Sequence, residues 1–270
     1  MKIILSRKGF DSAAGGCASP ILPDGRLISL PIPDVDAYSD ICYSVLRLNH
    51  NYSYYDLLKD LDHTIKLNKC HLDPDIYQGV LQRPAKWRGA FGQIGAAQKH
   101  LQNQGVKEGD IFLFFGWFRN TKQENGKIAF DPQDRKGRHI IFGYLQVGEI
   151  IRNNEIPIWL KQHPHAHKKR QLEPHNTIYI ARKSLLWDRN KSGYGVLKYD
   201  DSLVLTKRGY NRSCWQLPEC FRQAKMTYHE RSNWKKNHFQ STSRGQEFVI
   251  SPNRAVLGWT HKIIGNNTLI

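Results

Sequence analysis

Three aspartates, at positions 11, 73 and 75, are the side chains whose setting best suits acid–base chemistry. Each lies in a polar stretch beside a predicted strand or helix end. Pro74 favours an extended backbone before it, and alternate residues of an extended chain face one side, so His71 would join Asp73 and Asp75. Neighbouring carboxylates can divide into an ionised and a protonated group, which suits general acid–base or oxocarbenium chemistry. Asp11, Asp73 and Asp75 are therefore the candidate catalytic residues; the alternative is that Asp73 caps a helix and Asp75 is a solvated acid in its first turn.

A polar segment at residues 6–12 follows a short apolar run at residues 2–5 that is typical of a buried strand. Strands often present charged groups from the loop that follows them, and the glycines there let the backbone turn sharply or approach a ligand. The alternative is a polar turn with solvated cations. The segment predicts substrate contacts at Arg7, Lys8, Phe10 and Ser12.

Histidines at positions 163, 165 and 167 run directly into three cations. Alternating imidazoles can bind a metal, but no cysteine or carboxylate stands beside them in the sequence. The adjacent cations would repel a dication and would suit a phosphate or a polar base substituent. We therefore expect no catalytic metal, with a metal site and a solvated basic loop as alternatives. The expected DNA contacts are His163, His165, Lys168, Lys169 and Arg170.

Several other polar or aromatic residues at predicted strand ends have side chains that suit base or phosphate recognition. Trp117 could stack on a base and Arg119 could donate to a phosphate, although both would be structural if their strand is fully buried. The Gln93 amide suits a base edge, with a helix N-terminal position as the alternative. The remaining candidate contacts are His71, Arg244, Gln246 and Glu247.

Charge is distributed unevenly along the 270 residues. The net charge is +16, with 19 Lys+Arg against 16 Asp+Glu in residues 1–150 and 21 against 8 in residues 151–270. A basic half interleaved with aromatic residues is typical of a surface that holds phosphates and unpaired bases, although most of those aromatics belong to the core in the simpler interpretation. The partner predicted from charge is DNA.

Cysteine usage and hydropathy indicate a cytoplasmic protein. The five cysteines are scattered and form no CxxC pair, which argues against disulfides and a cysteine zinc site. The apolar run after Lys2 is too short for a signal peptide, and no segment has the apolar length that a membrane span needs. We expect no membrane association and infer no obligate protein partner.

The periodicity of the chain predicts a single α+β domain over residues 1–270. We expect strands at residues 2–5, 111–119, 139–151, 176–181 and 243–250, and helices at residues 40–48, 54–67 and 94–104. Residues 120–138 read as a loop between two neighbouring strands. The expected architecture is a central twisted, partly barrel-like sheet flanked by helices, with the basic portion at residues 151–270 providing much of the nucleic-acid surface.

Motifs of the common nucleotide and metal enzymes are missing from the sequence. There is no P-loop, no dinucleotide fingerprint, no HExxH, no GxSxG and no zinc-deaminase signature. We therefore expect no cofactor.

The order of the polar motifs resembles the third type of the nucleotide-modification-associated domain families, which are bacterial and phage proteins linked to hypermodified DNA bases. The residues that carry this resemblance are the segments 6–12, 71–75, 91–93, 109–119 and 163–165. The resemblance implies a modified nucleotide as the ligand and leaves its synthesis, removal and recognition open.

The function that we predict is a DNA glycosylase that flips out and excises a bulky modified pyrimidine, such as a glycosylated cytosine, from phage DNA. Such an enzyme needs only a pocket, a carboxylate and a water, which fits a short basic chain without cofactor motifs. The alternatives are a non-catalytic reader of modified bases and a metal-dependent nuclease or base-modifying enzyme that uses His163 and His165.

Overall fold

A computed structural model describes residues 1–36, 38–152, 156–242 and 247–269. The described strands are β1 (Ile3–Arg7), β2 (Ser19–Ile21), β3 (Arg47–Asn49), β4 (Tyr52–Ser53), β5 (Ala90–Gln93), β6 (Ile111–Glu124), β7 (Lys127–Phe130), β8 (Arg138–Arg152), β9 (Thr177–Ala181), β10 (Tyr194–Val196), β11 (Cys214–Trp215), β12 (Phe239–Gln240) and β13 (Glu247–Ile250). The α-helices are α1 (Tyr54–Leu61), α2 (Gly95–Asn103), α3 (Lys168–Gln171) and α4 (Arg254–Asn267).

A mixed nine-stranded sheet organises the fold. Its main path runs β13-β1-β6-β8-β9-β5, while β2 and β7 pair with β6, and β10 pairs with β8. The first six residues of β6 are all buried, as expected for a central strand covered on both faces. Strand β1 runs parallel to β6 and antiparallel to β13, in which Ile3 pairs with Ile250. Strands β1 and β13, which are far apart in the sequence, therefore pair at one end of the main sheet path.

The sheet curls so that its two end strands approach each other. Phe91 of β5 lies 5.0 Å from Phe112 and 5.2 Å from Phe114 of β6, measured between ring centroids, so it packs across the inside of the curl. Among the described residues no backbone ladder joins β5 to β13. The predicted α+β class and the partly barrel-like sheet are confirmed, and the described sheet is not a closed barrel.

Two smaller apolar clusters cover the sheet. The first is formed by residues between 10 and 80, centred on α1, with Leu57 and Leu58 fully buried. The second joins β5 and β9 to the 3₁₀ segments at Ile158–Leu160 and Pro164–Ala166. These clusters place two loops, at residues 71–75 and 163–170, beside the ends of β1 and β5.

The expected helix at residues 40–48 is wrong. There the backbone pairs with a neighbouring segment instead of with itself: Tyr43 N–H donates to the Asn68 carbonyl, and Cys70 N–H donates to the Ile41 carbonyl. The Ser39 hydroxyl also accepts from Ile41 N–H, which fixes a turn at the start of the segment.

The predicted loop at residues 120–138 contains a β-hairpin instead. Strand β6 continues to Glu124 and turns at Asn125 and Gly126, whose φ angles are 51° and 78°, into β7. Asn-Gly is the strongest short hairpin signal in a sequence, so this hairpin could have been predicted.

Sequence reasoning also missed the C-terminal helix α4. The Asn253 side chain caps it by accepting from the backbone N–H groups of Ala255 and Val256. None of the described helices is long and apolar enough to cross a membrane.

Candidate functional site

A polar cleft of about 280 Å³ opens where the loop after β1, the end of β5 and the loops at residues 32–36, 71–73 and 163–170 converge. Cationic, acidic and imidazole side chains from all these segments line it. The cleft therefore collects residues that lie far apart in the sequence.

Asp73 is the buried carboxylate of this cleft, with a side chain that is 6% exposed. Its Oδ1 accepts a 2.8 Å hydrogen bond from Gly92 N–H and lies 3.4 Å from His163 Nε2. Its Oδ2 lies 3.8 Å from Nε2 of His165. One carboxylate oxygen is thus held by the protein, and the other faces an imidazole.

Hydrogen bonds around His165 determine which of its ring nitrogens carries the proton. The Asn176 amide donates from Nδ2 to the His165 carbonyl at 2.9 Å, so its Oδ1 faces His165 Nδ1 at 2.8 Å. Nδ1 therefore bears the hydrogen, and Nε2 of the neutral ring is an acceptor. In His163 the situation is reversed, because Nδ1 accepts from His165 N–H at 3.2 Å and Nε2 is left as the donor toward Asp73.

Two acceptors consequently face each other across the cleft wall. Asp73 Oδ2 and His165 Nε2 both lack a hydrogen bond from any part of the chain that the structure describes. Two acceptors 3.8 Å apart, on side chains that are 6% and 4% exposed, are well placed to bind a donor or a cation at the cleft surface. A water, a substrate hydroxyl or amine, or a metal ion is such a partner.

The charge states of the cluster follow from its burial and its partners. Burial lowers the pKa of His71 to about 4 and that of His165 to about 3, so both rings are neutral at pH 7. Burial opposes ionisation of Asp73, but the hydrogen bond from His163 and the nearby imidazoles outweigh it and hold the pKa of Asp73 well below its usual range. An ionised carboxylate therefore stands beside two neutral imidazoles.

A second polar group lies beside the first. Glu247 Oε1 accepts from Lys8 Nζ at 2.9 Å and from Gln93 Nε2 at 2.7 Å. Lys8 Nζ also lies 4.6 Å from the centre of the Phe91 ring. The other end of the Gln93 amide is also engaged, since its Oε1 accepts from Ile94 N–H at 3.1 Å. The cationic side of the cleft is thereby fixed to the sheet.

Gly92 is required where β5 meets the histidine loop. A Cβ at this position would lie 2.1 Å from Cγ of His165, far inside contact distance. The absence of a side chain lets the imidazole lie against the backbone while Gly92 N–H bonds Asp73.

The structure brings about half of the predicted site residues together. Those that line the cleft are Arg7, Lys8, Asp11, His71, Asp73, Gln93, His165 and Arg170. His163 and Glu247 lie behind this lining and contact it through Asp73, Lys8 and Gln93. Arg244 and Gln246 fall outside the described residues.

Asp75 does not share the cleft with Asp73. Both Asp75 oxygens accept from the Arg83 guanidinium, with Nη1 at 2.7 Å from Oδ2, and Asp75 pairs through its backbone with Ala90. Burial raises the pKa of Asp75, although Arg83 opposes the shift. The alternation that predicts His71, Asp73 and Asp75 on one face fails at the third residue, because the Arg83 pair and the Ala90 bridge hold Asp75 on another wall.

Other predicted contacts are occupied by structural interactions. Phe10 is buried and packs edge-to-face on Tyr43. The Asp11 carboxylate accepts from the N–H groups of Ala13 and Ala14, so it shapes its own loop, while Ser12 is exposed.

Trp117 and Arg119 are likewise engaged away from the cleft. Arg212 stacks on the Trp117 ring at 3.9 Å, and the indole N–H donates to the Lys136 carbonyl. Arg119 donates to the carbonyls of Asp134 and Asp131. In the histidine loop, Lys168 and Lys169 are exposed, and of the three cations there Arg170 reaches the cleft.

Sequence reasoning missed Asn176, Gly92 and Asp34. Asn176 is 4% exposed and sets the tautomer of His165, yet in the sequence it is an ordinary polar residue before a strand. Asp34 lines the cleft and accepts from Ser39 N–H at 2.8 Å. Gly92 lies in the segment 91–93 that carries the family resemblance, but only its short distance to His165 explains why this position requires a glycine.

A wider groove of about 900 Å³ lies elsewhere, lined among others by Arg138, Tyr199 and Arg208. Arg138 pairs with Asp134 at 2.7 Å, and the Tyr199 hydroxyl donates to Asp201. The groove lacks the combination of buried carboxylate and imidazoles found in the smaller cleft, so we place the chemistry in the cleft.

Comparison with known proteins indicates the family of the chain. The family model described as nucleotide modification associated domain 3 matches residues 2–251, which include every residue named in the cleft. No curated protein and no solved structure matches the chain. The match agrees with the resemblance that the order of the polar motifs suggested. The chain belongs to the nucleotide modification associated domain 3 family.

Proposed function

We propose that this protein is a hydrolase that excises a bulky modified pyrimidine from DNA by cleaving the N-glycosidic bond. The observation that carries the proposal is the pair of unbonded acceptors, Asp73 Oδ2 and His165 Nε2, which face each other at 3.8 Å in the cleft wall. The family association with modified nucleotides directs this chemistry to a nucleotide substrate.

In the proposed reaction a water donates its two hydrogens to these acceptors. Its lone pair is then free to attack C1′ of the deoxyribose as the bond to the base breaks. The base leaves with the bonding electron pair and takes a proton from solvent, while His165 Nε2 accepts the proton of the attacking water. The ionised Asp73 stabilises the positive charge that develops on the sugar. Asp11 and Asp75 take no part in this step.

The cleft has the dimensions and polarity for one extruded base. Its volume of about 280 Å³ lies near the lower end of the range for small-molecule pockets. An enzyme that reacts at C1′ must rotate the nucleotide out of the duplex to reach it. Arg7 and Arg170 at the cleft provide cations for the flanking phosphates or for a polar substituent of the base.

The DNA surface that the charge distribution predicts includes cations that are exposed in the structure. Residues 151–270 carry most of the positive excess, and several of their cations, such as Arg208, Lys225, Arg231, Lys235 and Lys236, are exposed. Binding through such a surface is sequence-independent and weakens with salt.

The proposal is tested by the products formed from DNA that contains glucosylated 5-hydroxymethylcytosine, with unmodified DNA of the same sequence as the control. Mass spectrometry of the supernatant measures free base, and mild alkali converts abasic sites into strand breaks. We expect free modified base and alkali-dependent breaks from the modified DNA alone. Strand breaks without base release would indicate a nuclease, and binding without either product would indicate a reader. Either result would overturn the proposal.

A further inference from the structure

We propose that His71, Asp73 and His165 form a binding site for a divalent transition-metal ion. Each residue offers one ligand atom, and these atoms lie within 4.8 Å of one another at the wall of the cleft. The inference concerns metal binding and does not depend on the proposed base excision.

The hydrogen-bond partners around the three residues are of the kind that orient metal ligands. Gly92 N–H donates to Asp73 Oδ1, and His163 Nε2 lies 3.4 Å from the same oxygen, which leaves Oδ2 as the ligand atom. Asn176 Oδ1 accepts from His165 Nδ1, which leaves His165 Nε2 as the ligand atom. Metal-binding imidazoles characteristically donate their other ring N–H to a carbonyl or carboxylate oxygen, as His165 does here.

The spacing suits the short bonds of such an ion. With metal–ligand distances of 2.0–2.1 Å in a tetrahedral site, neighbouring ligand atoms lie about 3.4 Å apart. The 3.8 Å between Asp73 Oδ2 and His165 Nε2 closes to that value with a shift of a few tenths of an ångström. The His71 ring lies 5.2 Å from the His165 ring, centre to centre, and its ligand atom lies within 4.8 Å of those of Asp73 and His165.

The charges near the site permit a dication. The expectation of no metal rested on the three cations after His167, but Lys168 and Lys169 are exposed. Arg170 does line the cleft, and its charge is offset by Glu173 at 2.9 Å. Asp34 adds a further carboxylate to the lining of the cleft. The nearest fixed charge, Asp73, is negative.

Two imidazoles and one carboxylate define the chemical class of the ion. This donor set is typical of zinc, iron(II) and related transition metals, whereas calcium and magnesium prefer oxygen ligands alone. Three protein ligands leave coordination positions open toward the cleft, where a water or a polar substituent of the nucleotide could bind. A bound ion also satisfies the facing acceptors Asp73 Oδ2 and His165 Nε2.

The test is metal binding by the full chain prepared without a histidine tag and stripped with a chelator. Titration calorimetry with Zn²⁺ and the visible absorption of added Co²⁺ measure stoichiometry and ligand type. We expect one ion per chain, and we expect His71→Ala and His165→Ala each to weaken binding by about 100-fold or more. Asn176→Ala should weaken it by about 10- to 100-fold, because it frees the His165 ring.

His167→Ala is the matched control, because it removes a histidine of the same motif that lies outside the cluster. It should leave the affinity unchanged, and circular dichroism establishes that each variant is folded. His71→Gln replaces His71→Ala if the latter does not fold. Absence of stoichiometric binding, or binding that survives both His71→Ala and His165→Ala, would overturn the inference. Assay of base release by the stripped protein separates the two proposals, since the proposed water step uses Asp73 Oδ2 and His165 Nε2 without a bound ion, whereas the titration measures ion binding alone.

Discussion

Gln93 donates a 2.7 Å hydrogen bond to Glu247 and so joins β5 to β13, the two ends of the main sheet path. Both side chains are buried, and Lys8 bonds the same carboxylate oxygen. The curl of the sheet is thus closed by side chains at the point where the cleft begins. This contact couples the architecture of the sheet to the position of the cationic groups at the site.

Glu247→Gln should destabilise the fold by about 3 kcal/mol, because it leaves the Lys8 ammonium buried without its counter-charge. The Lys8 side chain is 10% exposed and that of Glu247 is 1% exposed, so solvent cannot replace the lost partner. Urea unfolding measures the change. Asp40→Asn is the control, because it breaks an ion pair between Lys69 and a 98% exposed carboxylate and should cost less than about 1 kcal/mol. Equal losses of unfolding free energy in the two variants would show that the buried Lys8–Glu247 pair contributes no more to stability than the exposed pair.

Asp73→Asn should lower base release by about 100-fold or more while leaving the protein folded, since the amide keeps the size of the side chain and removes its charge. The amide oxygen can still accept from Gly92 N–H. Asp11→Asn is the comparison, and it should retain most activity because Asp11 binds the backbone of its own loop. Single-turnover rates on modified DNA measure both. Full activity in Asp73→Asn with loss in Asp11→Asn would move the reaction centre to the loop after β1.

Gly92→Ala should impair the site without unfolding the sheet. The added methyl group would lie 2.1 Å from the His165 ring, so the imidazole must move away from Asp73. We expect base release to fall at least about tenfold, since small displacements of catalytic groups are costly. Gly258→Ala in α4 has open space around its Cβ and should be neutral or slightly stabilising. Unchanged rates in Gly92→Ala would mean that the position of His165 is not needed.

DNA affinity should fall steeply with salt, because neutralised phosphates release counterions on binding. Replacing the exposed Lys168 and Lys169 together by glutamine should reduce the slope of log K against log salt by about two if both contact phosphates. The control is the pair Lys122→Gln and Lys127→Gln in the β6–β7 hairpin, which does not line the cleft. Fluorescence anisotropy at several salt concentrations measures each slope. A slope near zero for the wild type would remove nucleic acid as the partner.

Acid should destabilise the fold partly through His139. Burial lowers the pKa of His139 to about 3 in the folded state, whereas the exposed side chain of the unfolded state has the ordinary pKa of 6.5. The unfolded state therefore binds more protons between these values, and stability is lost as pH falls from 6.5 toward 3. The loss is at most about 1.4 kcal/mol per pH unit for one such group.

The comparison that isolates this residue is His139→Gln, whose amide oxygen can accept from Trp215 Nε1 as the imidazole does at 3.2 Å. Urea unfolding at pH 7 and pH 5 should show a smaller loss of stability in the variant than in the wild type. Identical losses would assign the acid sensitivity to the other buried histidines.

The sequence by itself determined the local elements whose side chains repeat with a clear period. The apolar run from Ile111 and its partner ending at Arg152 form the two long central strands. The α2 helix ends at Asn103, two residues before Gly105, whose φ of 61° suits glycine. These predictions succeed because a continuous apolar run bounded by turn residues is typical of a strand that is buried on both faces, and because burial recurs every turn of a helix. The motif order likewise indicated the family.

The tertiary structure alone decided which of the polar residues meet. Asp73 and Asp75 are separated by one residue, yet one faces His165 and the other Arg83. The directions of these two side chains depend on the backbone bridge between Asp75 and β5 and on the position of the Arg83 guanidinium. Neither contact can be recognised from a local sequence pattern. The cluster of Asp73 with His165, and the contact of Gln93 with Glu247, exist because the sheet curls far enough to bring distant loops and its end strands together. The curl of the sheet results from many packing contacts between residues that are far apart in the sequence. Local sequence patterns do not reveal such contacts.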